Sequence, residues 1–371
     1  MLAILRFQAR PARCGIDMAP DILECTLRDG SYAIDFQFSR EDTFTIARRL
    51  DDLGFPYIEV GHGIGLGASR RNMGVAAATD DEYMAAAAEA VHKGKWGMFC
   101  IPGIAELSDI DAAAMAGMGF VRVGTEVSDV EKGRPFIERA RAKGIFVFAN
   151  LMKSYVCAPN EFAAQARKCA DYGAQCVYVV DSAGGMLPEE IGAYADALRV
   201  AAPGVKLGFH GHNNLGLGVA NALYCARAGF DVIDTSLQGF GRSSGNTPTE
   251  QFVAVLIRAG FATGYDPVAV MEAGEELIRP LIQEIGHNSL DTTAGLAQFH
   301  SSYMRRVLDA AKARRVDPRR LILALCEHDR TGAPPELIDA AATEVATQQR
   351  RRGLLFAKTF LGKSYYGEEQ R

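Results

Sequence analysis

The chain has 371 residues, is 48% hydrophobic and carries a formal net charge of -5, so it can bury a large core in one large domain or two smaller ones. Its 40 Lys and Arg are dispersed among 45 Asp and Glu, which argues against a polyanion-binding surface and leaves no nucleic-acid partner expected. No apolar run reaches the roughly 18 residues that a membrane span needs, so no membrane association is expected.

The eight cysteines, Cys14, Cys25, Cys100, Cys157, Cys169, Cys176, Cys225 and Cys326, show neither CxxC spacing nor a short secreted framework. Reduced thiols in a cytoplasmic setting are therefore expected. The first 17 residues hold three arginines and one acid, Asp17, a faint likeness to a transit peptide. With little hydroxyl content and Met18 just before the first apolar run, residues 1–19 read as an extended or misassigned start rather than a targeting signal. Leu2 to Phe7 is too short for the apolar core of a secretory signal.

Beyond this extension, short runs rich in Val, Ile and Phe alternate with longer Ala-rich amphipathic segments. The runs are Ile22 to Cys25, Tyr57 to Val60, Trp96 to Ile101, Phe120 to Val123, Ile145 to Ala149, Cys176 to Val180, Lys206 to Phe209 and Val232 to Thr235. Between them lie Asp42 to Leu53, Glu82 to Lys93, Ile137 to Lys143, Glu161 to Tyr172, Ile191 to Val200 and Leu217 to Ala228; several end at Gly54, Gly144, Gly173 or Gly229, as helix C-termini do. Eight strand-then-helix repeats predict a closed parallel (β/α)8 TIM barrel, an α/β fold, over residues 20–285. From about Gly286 the pattern turns helical, with Asp291 to Arg314, Asp317 to His328 and Pro335 to Gln349 expected as helices of a small C-terminal domain, residues 286–371. Its basic run Arg350-Arg351-Arg352 reads as a solvated helix end.

Sites in such barrels lie at the C-terminal ends of the strands, and the polar clusters fall there. Thr26-Leu27-Arg28-Asp29-Gly30, Gly61-His62-Gly63, Gly124-Thr125-Glu126, Asn150 to Ser154, Asp181 to Gly185, His210-Gly211-His212 and Gln238 to Asn246 each follow a strand. His210 and His212 sit two apart on an extended segment, so both imidazoles share one face. The first and seventh strands are separated only by the eighth around the ring, so Asp29 can meet both histidines across the mouth. Two imidazoles and a carboxylate make a three-ligand face for a catalytic divalent ion. The other reading is that Asp29 caps a loop and the histidines hydrogen-bond inside the barrel. The ligand types suit Mn, Fe, Co or Zn, with Mg less at home on nitrogen.

Five motifs carry a specific resemblance: Thr26-Leu27-Arg28-Asp29-Gly30, Glu59 to Gly67, Ile101-Pro102-Gly103-Ile104, Asp181 to Gly185, and Gly211 to Asn221. In order from about residue 20 to 340, the chain resembles the 4-hydroxy-2-oxovalerate aldolases, metallolyase barrels related to isopropylmalate synthases and hydroxymethylglutaryl-CoA lyases. The resemblance implies a class II pyruvate aldolase that cleaves or forms a 4-hydroxy-2-oxo acid through a metal-bound enolate, with Mn2+ the first expectation and Co2+, Mg2+, Zn2+ or Fe2+ the others. It also implies a C-terminal region that docks an acylating aldehyde dehydrogenase, and a homo-oligomer is expected. Arg28 is the expected enolate stabiliser, the alternative being a structural partner for a carboxylate such as Asp181. Ser154 is a candidate for binding the substrate carboxylate. The glycines of Gly61 to Gly67 do not match G-x-G-x-x-G and are read as letting that loop pass close to substrate.

The chain also departs from the family. Where the family has a histidine three residues after the ligand aspartate, this chain has Tyr32; where it has a partner tyrosine on a later helix, this chain has His300. The pair reads as exchanged, with Tyr32 and His300 together moving the proton on the 4-hydroxyl. Tyr303, three residues on along an expected helix, is the stand-in or a pocket wall. Two other functions stay open: a Claisen-type acyltransferase, which Ser31-Tyr32 and the tail argue against, and a non-catalytic partner-binding homologue.

Overall fold

The structure, a computed structural model, describes residues 18–282, 289–352, 359–360 and 363–364. Eight parallel strands, β1 (Asp21–Glu24), β2 (Tyr57–Val60), β3 (Lys95–Cys100), β4 (Phe120–Glu126), β5 (Phe146–Met152), β6 (Cys176–Asp181), β7 (Lys206–Gly211) and β8 (Val232–Thr235), pair in sequence order. The ring closes where β8 pairs with β1, Ile233 lying opposite Ile22. Around it run α1 (Arg40–Leu53), α2 (Asp80–Ala90), α3 (Leu107–Met115), α4 (Arg134–Ala142), α5 (Pro159–Tyr172), α6 (Pro188–Ala201), α7 (Gly218–Arg227), α8 (Thr249–Ala259) and α9 (Pro267–Ala273). Expected strands and helices recur within a few residues. Gly54, Gly173 and Gly260 end α1, α5 and α8 in left-handed conformations, where glycine pays no Cβ penalty.

Side chains alternate along each strand. One face packs outward on the helices; the other fills the barrel. Inside lies an aromatic layer of Tyr57, Phe120, Phe148 and Tyr178, packed edge to face at centroid distances of 5.3 to 5.7 Å. It fits because β7 carries a glycine there: a Cβ on Gly208 would stand 2.3 Å from the Tyr178 ring. One step closer to the mouth the same faces turn polar, with Glu59, Arg122, Asn150 and Asp234 all buried.

Past the barrel, α10 (Ser289–Ala297), α11 (Met304–Arg314), α12 (Pro318–His328) and α13 (Pro335–Arg352) enclose a core of their own around Val307, Leu321, Leu325 and Ile338. Two short antiparallel strands follow, β9 (Thr359–Phe360) and β10 (Lys363–Ser364), which the all-helical reading of this region lacks. The boundary expected between 285 and 286 lies outside the described residues, as do residues 1–17 and the side chains of Arg350 to Arg352. One expected helix is broken. Gln298 adopts φ +54° and the chain leaves α10, so that Phe299 turns into the C-terminal core and His300 caps a separate turn, Ser301–Tyr303. His300 and Tyr303 are thus not neighbours on one helix. The C-terminal helices reach the mouth closely enough that a Cβ on Gly185 would meet the Gly295 carbonyl at 2.1 Å.

The barrel seam holds a buried acid. Glu24 accepts from the Thr26 hydroxyl at 2.8 Å and the Thr249 hydroxyl at 3.0 Å, while the Leu237 N–H donates to Thr26 Oγ1 at 2.8 Å, tying β1 to the segments after β8. Burial pushes the Glu24 carboxyl up to about 7 from 4.5, against the hydrogen bonds of Thr26. The folded state therefore holds a proton that the unfolded chain releases, so this group's stabilising contribution is full below pH 4.5 and is lost as pH rises through about 7. Glu24→Gln should remove that one-proton slope from unfolding free energies measured between pH 4.5 and 8; an unchanged slope would show that Glu24 is ionised in the fold.

Candidate metal and active site

The turn after β1 places Asp29 at the barrel mouth, 1% exposed. Arg28 Nη1 donates to Asp29 Oδ1 at 2.8 Å and Asn246 Nδ2 to Oδ2 at 2.9 Å. Burial alone would raise this carboxyl, but Arg28 beside it, with His212 and Arg242, holds it well below the usual carboxylate range. Asp29 is anionic and fixed in orientation.

His210, inward at the end of β7, has Nδ1 2.8 Å from Asp234 Oδ2. A carboxylate accepts only from a protonated nitrogen, so the proton sits on Nδ1 and the Nε2 lone pair is left for a ligand. His212 has Nδ1 3.2 Å from the Gly245 carbonyl, which sets the same tautomer. Burial pushes His212 down to about 3, with Arg242 adding to it, so its imidazole is neutral. One ligand atom each from Asp29, His210 and His212 lies within 4.8 Å of the others. Two imidazole nitrogens and an anchored carboxylate fit a divalent transition metal. A second grouping, Cys25 with His210 and Asp234, uses the Asp234 whose Oδ2 Arg122 and His210 already hold.

Arg28 pairs with a barrel carboxylate, as the structural alternative has it, though with Glu59 rather than Asp181. Its Nε donates to Glu59 Oε2 at 2.8 Å and it lies over the Phe99 ring at 4.7 Å; Arg28 also lines the cavity. Asp181 instead accepts from the N–H groups of Gly185 and Met186 at 3.1 and 2.9 Å.

A cavity of about 780 Å³ opens above these groups, lined by Arg28, Asp29, Tyr32, His210, Arg242 and His300 among others. Tyr32 and His300, far apart in sequence, both line it. Burial raises the Tyr32 phenol, which stays protonated. Burial, reinforced by Arg242 and Lys153, holds His300 well below 6.5, so its imidazole is neutral. Its Nδ1 lies 2.7 Å from Ser302 Oγ, and Nε2 faces the cavity. Gly63 shapes the same wall, since a Cβ there would stand 2.8 Å from the Tyr32 ring; the glycines of the second loop serve close packing at the mouth.

Ser154 is elsewhere. It is fully buried, its hydroxyl donates to the Leu151 carbonyl at 2.8 Å and accepts from the Val180 N–H at 2.9 Å, and it is absent from the cavity wall. Ser182 lines the cavity in its place. The hydroxyl expected to bind a carboxylate is taken by the main chain. Tyr303 does line the cavity, but its hydroxyl accepts from Lys153 Nζ at 2.7 Å and donates to the Thr331 carbonyl at 2.9 Å.

Two cations at the mouth have no counterpart in the sequence reading. Lys153, buried and at φ +56°, ties Glu126 of the barrel at 3.1 Å to Tyr303 and to the Thr331 carbonyl of the C-terminal helices. Arg242 places Nε 3.3 Å from His212 Nε2, Nη2 3.4 Å from His300 Nε2, and its guanidinium 5.5 Å from the Tyr32 ring centre. Both lie in polar clusters that follow strands, which is the signal that could have singled them out.

Residues 19–277 match the family described as HMGL-like. The chain is 40% identical over 328 residues to a 4-hydroxy-2-oxovalerate aldolase of Rhodococcus jostii, covering 88% of this chain and 95% of the relative. It is 37% identical over 335 residues to that of Geobacillus thermodenitrificans, covering 90% and 97%. In fold it is similar to the carboxyl transferase domain of Rhizobium etli pyruvate carboxylase (TM-score 0.72, 18% identity, 89% of this chain and 60% of that one). It is likewise similar to the HMG-CoA lyase of Brucella melitensis (TM-score 0.61, 22% identity, 72% and 100%). With a seam-closed barrel, a mouth bearing Asp29, His210 and His212, and nearly full-length relatives, the chain belongs to the HMGL-like family, in the branch that holds the 4-hydroxy-2-oxovalerate aldolases.

Proposed function

We infer that this chain is a divalent-metal pyruvate aldolase that cleaves or forms a 4-hydroxy-2-oxo acid. The observation that carries the reading is the convergence of Asp29, His210 and His212 beside Arg28 at the mouth of an aldolase-like barrel. These three residues would hold the ion, with Mn2+ the first choice. A bound divalent ion would supply Lewis-acid stabilisation to the oxyanion that forms as the carbon–carbon bond breaks.

The protein's own groups supply the rest. Arg28, locked by Asp29 and Glu59, keeps a fixed positive charge where the enolate oxygen develops. Such preorganised charge favours the transition state over the neutral ketone. In cleavage the 4-hydroxyl must lose its proton. In the tautomer with its proton on Nδ1, donating to Ser302 Oγ at 2.7 Å in place of the Ser302 N–H bond that Nδ1 otherwise accepts at 3.2 Å, His300 Nε2 faces the cavity and accepts it. Tyr32, protonated across the cavity, donates a hydrogen bond to the same oxygen. In the addition direction the imidazolium returns the proton to the new alkoxide. The acyltransferase and non-catalytic readings find no support among the relatives. On the resemblance alone we extend the reading to a cytoplasmic homo-oligomer whose C-terminal helices dock an acylating aldehyde dehydrogenase; among the described residues no helix is long and apolar enough to cross a membrane.

Pyruvate should take up deuterium at C3 with Mn2+ and lose that exchange on metal removal; no exchange in any metal form would contradict the lyase, and free thiol release from acetyl-CoA with a 2-oxo acid would point to the transferase. His212→Ala should abolish metal-dependent turnover, and activity retained in metal-stripped wild type would contradict the site. For the proton-transfer pair, Tyr32→His and His300→Tyr are each expected to lower kcat by about 10²-fold or more, with the double exchange recovering part of the loss. A double variant no better than the worse single one would show that the two do not act together.

A further inference from the structure

The cavity's charges do not cancel evenly. Of its three carboxylates, Asp29 is held by Arg28, Glu126 by Lys153 at 3.1 Å, and Asp291 accepts from Ser243 at 2.7 Å. Among its cations, Arg28 is committed to Asp29 and Glu59, and Lys153 spends its three N–H donors on Glu126, Tyr303 and Thr331. That leaves Arg242. Among the described residues no carboxylate lies within ion-pair distance of it. Its two contacts, at 3.3 and 3.4 Å to imidazole nitrogens, are longer than ordinary N–H···N or N–H···O bonds. A half-buried guanidinium with a largely unused donor fork suits a bidentate anion.

Its position says which part of a substrate would meet it. Arg242 touches His300, which works on the 4-hydroxyl, and lies over Tyr32; Ser301 and Ser302 line the cavity beside it. This is the side of the site where the 4-hydroxyl is handled, with Arg242 Nε also 3.3 Å from the His212 Nε2 that would hold the ion. A cavity of about 780 Å³ is of the size that holds a drug-like ligand, far more than a three-carbon 2-oxo acid and a short aldehyde fill.

Resting on the aldolase reading, we propose that Arg242 anchors an anionic group, a carboxylate or a phosphate, on the aldehyde partner, so that the enzyme's preferred 4-hydroxy-2-oxo acid carries a second negative charge beyond C4. In the addition direction, carbon C3 of the pyruvate enolate attacks the aldehyde carbon, the carbonyl oxygen takes the proton from His300, and the distal anion stays on Arg242 unchanged.

The test compares kcat/KM for pyruvate addition to charged and neutral aldehydes of similar size. Succinic semialdehyde against pentanal probes the carboxylate, and glyceraldehyde 3-phosphate against glyceraldehyde the phosphate. Wild type should favour at least one charged member by about tenfold or more, and Arg242→Gln should reduce that ratio to within about twofold, with Arg242→Lys recovering part of it. Calorimetric binding of glutarate and of methyl phosphate to the pyruvate-saturated Mn2+ protein reads the same subsite without turnover, and Arg242→Gln should weaken it about tenfold or more. No charge preference in wild type, or equal losses on charged and neutral aldehydes in Arg242→Gln, overturns the proposal, as does anion binding that the substitution leaves unchanged. Failure of the aldolase reading shows separately, as absent C3 exchange with pyruvate alone.

Discussion

A chain of buried opposite charges organises the mouth of this barrel. Asp29 pairs with Arg28, Arg28 with Glu59, Glu59 with Arg122 at 3.0 Å, Arg122 with Asp234 at 2.6 Å, and Asp234 with the His210 imidazole at 2.8 Å. The five charged members are each 6% exposed or less at the side chain. Removing one would strand a partner in low dielectric, a change that costs several kcal/mol. Three carboxylates against two guanidiniums leave one negative charge at the ligand end, which a divalent cation would more than offset. The same links that hold the barrel interior together fix the orientation of two of the three candidate ligands.

Much of this was legible in the sequence, for a physical reason. Parallel strands buried on both faces read as apolar runs, and the loops that follow them are where polar residues concentrate, so eight runs followed by polar clusters gave the barrel and put Asp29, His210 and His212 at one end. The network behind them was not legible. Glu59 and Arg122 sit within strands, and nothing in their local pattern says that they face inward, since that depends on the register set by the neighbouring strands.

The misses have the same origin. A serine after a strand looks available to substrate, yet Ser154 closes its own turn and satisfies the β6 backbone, because side-chain hydroxyls compete for nearby main-chain groups. The run from Asp291 to Arg314 has a continuous helical pattern, but burying Phe299 requires the left-handed Gln298, and that break is what turns His300 toward the cavity. Tertiary packing overrode local propensity at a place where the C-terminal region contributes to the site.

The two sides of the mouth are consequently built differently. The side bearing Asp29, His210 and His212 rests on strands and on buried ion pairs; the side bearing Tyr32 and His300 is assembled between a barrel loop and the C-terminal turn, joined by Lys153 and Arg242. Substrate preference is free to change on the second side without disturbing the first.

The central claim is that the buried charge chain sets the geometry of the metal ligands, and the most direct measurement is Mn2+ affinity, followed by electron paramagnetic resonance, in wild type and in Asp234→Asn protein of matching near-ultraviolet circular dichroism. Asp234 lies behind His210 and is not itself a member of the Asp29, His210 and His212 set, so the account predicts an affinity lowered by about 10- to 100-fold. Wild-type affinity in the variant would contradict it.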